Sequence, residues 1–247
     1  MPRQPIGQGL LHLQSDLADP SVEPDFTRWC NDIHHRSLLR DVDGFLSLRR
    51  FERVPGYRFG APDGSRFLTV YQLEGPDAVD SEGHREHTRT FEPLPAHVAA
   101  VLTYRRTIYR QRTPEAGSLT PTGVDPSLDQ AVGTAVLHVM MDIEPAWELE
   151  FNAWYDEEHL DRLLAVPGFI SVRRFVDAQW PAGGVEAADG RHQYLAMDEI
   201  EDAGVVDTEP YARACEMTPW TEKLAPHLAF HSQIYRQVFP AAGALTV

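Results

Sequence analysis

GFLSLRRF, residues 44–51, and GFISVRRF, residues 168–175, decide how this chain is read. Six of the eight positions are identical, and the other two exchange one aliphatic residue for another. The match extends in both directions and keeps its order. LHLQSDL (11–17) parallels LHVMMDI (137–143), FTRWCNDIHHRSLL (26–39) parallels FNAWYDEEHLDRLL (151–164), and IYRQ occurs at 108–111 and 234–237. The offset stays between 124 and 126 residues, which marks an internal repeat of domain size and points to a tandem duplication. Between the halves, RTPEAGSLTPTGVDPSLDQ (112–130) is rich in Pro, Gly, Ser and Thr and has no apolar period. It reads as a linker, so the expected units are 1–112 and 131–247 with 113–130 between them.

Each half carries one order of elements. LLHLQS and AVLHVMM alternate and are rich in aliphatic residues, as strands do. The stretches FTRWCNDIHHRSLLRD and LEFNAWYDEEHLDRLLAV space their leucines to cover one helix face, and Gly44 and Gly168 follow them as C-terminal stops. The two quoted repeats are second strands. SRFLTVYQLE and HQYLAMDEIE are third strands, each after an Asp-Gly turn. Second helices are expected near 80–96 and 208–225, and LTYRRTIYR and LAFHSQIYR are the last strands. The order β-α-β-β-α-β is the ferredoxin-like unit. Such a unit leaves one face of its sheet bare, and two units in tandem can cover each other. The expected fold is therefore α+β, two tandem ferredoxin-like βαββαβ units forming an intramolecular dimeric α+β barrel.

Bulk properties narrow the function. The chain has 247 residues and a formal net charge of −15, which argues against nucleic acid or an anionic membrane as partner. No stretch approaches the roughly 20 apolar residues of a membrane span, and the first residues lack the apolar run of a signal peptide. Two cysteines, Cys30 and Cys215, form no disulfide framework, so a reducing, cytoplasmic setting is expected. GxGxxG, P-loop and GxSxG motifs are absent from the sequence, which removes the usual support for nicotinamide, nucleotide and serine-hydrolase chemistry.

The run F-x-x-W-Y-D-E-E-H-L-x-x-L-L-x-V-P-G-F-x-S-x-R-R-F, from Phe151 to Phe175, resembles the dimeric α+β barrel superfamily, and within it the EthD-like proteins and related actinobacterial proteins. The resemblance is densest over 133–175 and 192–237. It implies the barrel, and it implies cofactor-independent monooxygenase, isomerase, lyase or cyclase chemistry, or a stress-response role. Heme comes with it too, because some relatives by fold bind one, although no motif here marks an axial histidine. The first half departs from the pattern, with Cys30 in place of Tyr155 and Ile33 in place of Glu158.

Strand parity assigns the candidate site. Leu137, Val139 and Met141 form an apolar face for the helices, so His138, Met140 and Asp142 look into the barrel; Leu11 and Leu13 pack likewise, and His12, Gln14 and Asp16 look inward. Arg49 and Arg173 are inward cations, and His231, Gln233 and Tyr235 alternate with Phe230, Ser232 and Ile234. On the helix, Tyr155 and His159 share one face and Trp154 and Glu158 another. His138 and His12 are candidate acid–base groups beside core packing, because a histidine titrates near neutrality. His159 with Tyr155, and His34 in the first half, are candidate partners beside a purely structural reading. Asp142 is either the orienting member of an Asp–His pair or a turn residue. Arg173 and Arg49 bind an anion or are neutralised within the fold. Trp154, Trp29, Glu158, His231 and Tyr235 complete the expected substrate contacts, with the tryptophans favouring core positions. His84 and His87, in SEGHREH, read as a solvated helix face. His138, Asp142, His159 and His231 contain a two-histidine-one-carboxylate set on paper, without local ligand spacing. The expectation is an enzyme without nucleotide or other cofactor and without metal. Its substrate is a hydrophobic cyclic or aromatic-derived compound, and the protein is a monomer or a homodimer. The rivals are a non-catalytic binding barrel and a metal-dependent oxygenase or hydrolase.

Overall fold

The structure is a computed structural model and describes residues 2–57, 64–113, 130–181 and 191–246. Most of the expected linker and both Asp-Gly turns lie outside the described residues. Eight strands carry the fold: β1 Gly9–Leu17, β2 Phe45–Arg53, β3 Phe67–Leu73, β4 Leu102–Thr113, β5 Ala135–Ile143, β6 Phe169–Asp177, β7 Tyr194–Ile200 and β8 Leu228–Phe239. All pairings between them are antiparallel, in the order β8-β5-β7-β6-β4-β1-β3-β2, and β2 returns to β8. The result is a closed eight-stranded barrel in a mixed α+β fold. Within the first half the order is β4-β1-β3-β2, and within the second it is β8-β5-β7-β6. The two seams between halves are Tyr109 opposite Asp177 and Tyr235 opposite Arg53. Closure removes the exposed edges that an open sheet would leave for aggregation.

Parity works as the sequence suggests. Leu137 and Met141 pack with Phe151, Trp154 and Leu160 of the helical layer, and Leu11 packs with Leu38 and Leu39. The opposite faces meet inside the barrel, where Leu10, Phe51, Val136, Phe175 and Leu195 form one cluster. Gly44 and Gly168 carry φ of +86° and +95°, the left-handed C-terminal stop that only glycine adopts without strain.

The helices differ from expectation in two ways. The second helices are short pieces, Glu82–Thr90 with Ala96–Ala99, and Glu209–Ala214 with Pro219–Leu224. Pro93 and Pro95 end the first of these, and Pro219 starts a new turn, because proline supplies no N–H to a helix interior. The first helices are interrupted by wide turns, Trp29–His34 and Tyr155–His159, with π-type i→i+5 hydrogen bonding. Such a turn brings residues five apart into register. Trp29 stacks on His34 with ring centroids 4.6 Å apart, and Trp154 on His159 at 4.5 Å. The Trp–His spacing common to both halves is the side-chain signature of this wide turn, which regular α-helical spacing does not explain.

Candidate functional site

The barrel interior is packed. His12 and His138 meet Nε2 to Nε2 at 2.8 Å with their rings stacked at 5.0 Å, and both are buried. Tyr109 and Tyr235 approach this pair edge-on. Burial holds both imidazoles neutral, His138 down to about 3, so one ring donates the shared proton and the other accepts it.

The inward arginines are saturated. Arg49 meets Glu199 at 2.5 Å and also donates to Gln237 and to the Gly133 carbonyl. Arg173 makes the matching contacts with neutral groups: Gln72 at 2.8 Å, Gln111, and the Gly7 carbonyl at 3.0 Å. Burial pulls Arg173 down to about 9, and the Glu199 charge opposes that. No N–H of Arg173 is left aimed at a ligand among these contacts, which corrects its expected role as anion stabiliser. Arg49 is instead neutralised by the Glu199 carboxylate.

Asp142 and His231 stand elsewhere, at a strand end, while Tyr235 stays inside the barrel beside His138. Asp142 accepts from His192 Nδ1 at 2.6 Å and from the Gln193 N–H, and His231 lies against His192 with centroids 4.8 Å apart. Tyr235 donates to the Ser65 carbonyl. His138, Asp142, His159 and His231 are therefore not brought together, and among the described residues no group of three His, Cys, Asp or Glu side chains could hold a metal. His84 and His87 are not a solvated face: His84 stacks on Phe45 and His87 on Phe91, because the helix leans its histidines into the layer beneath.

An open space lies outside the barrel wall, between the second half's sheet and its helices. A cavity of about 190 Å³ is floored by Leu137, Val139 and Met141 of β5, Asp198 of β7 and Phe230 and Ser232 of β8. The wide turn roofs it with Trp154, Tyr155 and His159, and Arg162, Tyr211 and Cys215 stand around it. An engineered apolar cavity of ~150 Å³ accepts benzene, so this one is of single-ring size or slightly more.

Its polar groups are unusual. Asp198 is 1% exposed, and neither carboxylate oxygen has a hydrogen-bond partner among the described residues. Burial, with the Glu199 charge next to it, raises its pKa well above the ordinary carboxyl value, so the group is held protonated. His159 lies deep yet keeps accessible surface, because it opens onto the cavity. Burial and the Arg162 and Arg174 charges lower it to about 3, leaving a neutral imidazole. Tyr155 lies edge-on to His159 at 4.9 Å, with the Arg174 guanidinium 4.0 Å over its ring. Burial raises the Tyr155 and Tyr211 phenols, so both remain protonated. Arg162 is engaged by the Arg213 carbonyl at 2.8 Å, and Glu158 accepts from Thr218 at 2.7 Å and from Trp154 at 3.3 Å.

The first half fills the corresponding place with rings. Tyr71 faces Leu11 where Asp198 faces Leu137, and its hydroxyl is hydrogen-bonded to His35 Nδ1. His34 and Trp29 pack on Phe91, and Trp29 donates to the Glu92 carbonyl. Cys30 is buried there as a small core residue.

Of the expected site residues, the structure gathers Trp154, Tyr155 and His159 at the cavity with Glu158 hydrogen-bonded beside them. His12, His138, Arg49, Arg173 and Tyr235 lie inside the barrel, Asp142 and His231 at a strand end, and Trp29 and His34 in the first half's layer. Sequence reasoning missed Asp198, Tyr211 and Cys215. Parity carried the signal for Asp198: in YLAMDEI it shares the helix-facing side with Tyr194, Ala196 and Ile200.

Heme does not fit this cavity. A space near 190 Å³ is well short of a macrocycle. His159, the histidine on its wall, has only ring contacts among the described residues and lacks the second hydrogen bond that orients a metal-bound imidazole.

No protein-family profile and no curated protein matches the chain. Solved structures do. An anthrone oxidase-like protein aligns with TM-score 0.54 and 13% identity, over 95% of this chain and 93% of its own. A candidate monooxygenase from Lactobacillus acidophilus aligns with TM-score 0.52 and 10% identity, over 97% and 99%. A dye-decolorizing peroxidase from Bacteroides thetaiotaomicron aligns with TM-score 0.57 and 10% identity, over 96% of each chain. These are dimeric α+β barrel proteins, and the likeness at such identities is one of fold. No helix among the described residues is long and apolar enough to cross a membrane.

Proposed function

We propose that the chain is a small-molecule enzyme that moves a proton at carbon in an apolar, ring-sized substrate held in the second half's cavity. The observation that carries this reading is Asp198, a buried carboxyl without a partner, sharing an apolar cavity with the neutral imidazole of His159. A protein does not bury such a group without cost, since an unsatisfied buried polar group destabilises by about 1–3 kcal/mol. Function is where such costs are tolerated. Asp198, held protonated, polarises a substrate oxygen, and His159 takes the proton from the adjacent carbon and later returns it. Tyr155 and Trp154 hold the His159 ring from two sides. The mainly apolar lining lowers the local dielectric, which strengthens each of these interactions. The neighbour described as an anthrone oxidase-like protein is in keeping with an aromatic-derived substrate.

We also infer that the two units, 1–112 and 131–247, descend from one by tandem duplication, and that the chain is akin to the EthD-like group. Matching strand order and matching contacts of Arg49 and Arg173 support the duplication, and the Phe151–Phe175 run is what suggests the EthD-like kinship. The first unit fills the place that corresponds to this cavity with Tyr71, His35 and Trp29, so a single active site of this kind per chain is proposed.

The test is proton exchange in deuterium oxide, followed by NMR on small cyclic ketones. Accelerated exchange that Asp198→Asn and His159→Phe each reduce by about 10²-fold or more supports the proposal. Ligand binding with no exchange for any probe refutes it and leaves a non-catalytic binding barrel.

A further inference from the structure

The chemistry of the cavity narrows its ligand, and this step rests on the function just proposed. Charge decides first. The groups around Asp198 are Glu199, next to it on the same strand but turned into the barrel, Arg174 on β6 behind Tyr155, His159 and Arg162 from the overlying helix, and Tyr211 and Cys215 from the rim helix. Glu199 is spent on Arg49, and Arg162 is bound to the Arg213 carbonyl. An ammonium ligand in this cavity would need an ionised Asp198 and would lie near Arg174 and Arg162. A carboxylate ligand would lie against Asp198, and the two nearby guanidiniums already face carboxylates, Arg162 with Glu158 at 3.7 Å and Arg174 with Asp156 at 2.7 Å. Burying either charge unpaired is costly. A neutral ligand avoids both penalties.

Hydrogen-bonding capacity decides next. Both Asp198 oxygens are unpartnered among the described residues, whereas the Tyr211 and Ser232 hydroxyls at the wall each lie 3.3 Å from the Tyr57 hydroxyl. A protonated Asp198 therefore has one O–H left to donate, which an acceptor atom of the ligand satisfies. The rest of the lining, Leu137, Val139, Met141, Leu163, Leu224 and Phe230, is apolar. We propose that the cavity takes an uncharged carbonyl compound of about one ring, a cyclic ketone or enone, whose oxygen receives a hydrogen bond from the Asp198 carboxyl group. Proton transfer then balances simply: the carbon–hydrogen pair of electrons becomes the enolate, its proton goes to His159, and the Asp198 O–H bonds to the enolate oxygen. A protonated buried aspartic acid serves an enolate in this way in ketosteroid isomerase.

The experiment measures binding to the full chain of four probes of one size: 2-cyclohexenone, toluene, benzylamine and benzoate. Wild type is compared with Asp198→Asn, which keeps a donor, and Asp198→Leu, which keeps the volume. The expected result is enone bound at least about fivefold more tightly than toluene, the worth of one net hydrogen bond. Amine and acid bind more weakly than either. Asp198→Asn retains that preference and Asp198→Leu loses it. Wild-type enone affinity falls at high pH, where Asp198 ionises, while that of Asp198→Asn stays flat. Should Asp198→Leu fail to fold, the pH dependence decides alone. Equal binding of toluene and enone, strongest binding of benzylamine, or no binding of any probe overturns the inference. Enone binding without proton exchange overturns the proposed enzyme and leaves this ligand assignment standing.

Discussion

Replacing Asp198 by asparagine is expected to stabilise the protein, and by more as pH rises. The amide has nearly the carboxyl's shape and cannot ionise, so the variant isolates the cost of keeping a carboxyl in this place. In the unfolded chain the carboxyl ionises around its ordinary value of 3.8, whereas in the folded protein burial and Glu199 raise it well above that. Between the two values the folded state binds a proton that the unfolded state has released. Stability contributed by a raised group is complete below the unfolded value and is lost as pH climbs toward the folded one. The loss is about 1.4 kcal/mol for each pH unit in that window. Moving from about pH 4 to about pH 6 therefore costs wild type up to roughly 3 kcal/mol relative to the variant. For a chain of this size that is a difference in Tm of roughly 5–10 °C. Thermal and urea melts of both proteins across that pH range give the number directly, and effects of the buried histidines cancel in the difference. A stability difference that stays constant with pH means that Asp198 is ionised or solvated in the folded protein. That result refutes the proton-donor role.

Other expectations follow from the same geometry. His159→Phe keeps the ring stack on Trp154 and removes the nitrogens, so stability should change by less than about 1 kcal/mol while proton exchange is lost; retained exchange excludes His159 as base. Glu199→Gln leaves Arg49 buried without its carboxylate and should cost about 3–5 kcal/mol in urea melts. Gln72→Glu places a carboxylate beside Arg173 in the matching position and should stay within about 1 kcal/mol; a loss as large as that of Glu199→Gln contradicts the equivalence of the two sites. His138→Leu removes half of the imidazole pair and should cost about 1–3 kcal/mol without altering probe binding. Because burial depresses His138 and His159 to about 3, the stability they contribute is present above pH 6.5 and lost as pH falls from 6.5 toward about 3. His138→Leu should flatten that acid limb, and an unchanged limb counts against the buried neutral pair.

The barrel was legible because its signals are local and doubled. The alternation in LHLQSDL and LHVMMDI sorts inward from outward residues, and GFLSLRRF repeated as GFISVRRF sets the length of the unit. The open cavity was not legible in the same way. It depends on what the second layer leaves unfilled, which is a difference between Tyr71 with His35 in one half and Asp198 with Leu160 in the other. Inward-facing histidines read as catalytic because polar groups on a barrel's inner face commonly line a pocket. Here each half supplies one, and the two satisfy each other across the interior. Arg173 likewise looked available until Gln72, Gln111 and Gly7 were seen around it. The wide helical turn escaped notice because residues five apart are not neighbours on an α-helix. Asp198 was within reach of strand parity, as a lone carboxyl on the helix-facing side of YLAMDEI.

The central claim is that Asp198 donates to a neutral ligand in the second half's cavity. A crystal structure of the full chain with 2-cyclohexenone tests it most directly. The account predicts the ring between Leu137, Met141 and Trp154 with its oxygen at hydrogen-bond distance from the Asp198 carboxyl and His159 facing the ring carbons. Enone density inside the barrel beside His12 and His138, or in the cavity with its oxygen turned away from Asp198, contradicts it.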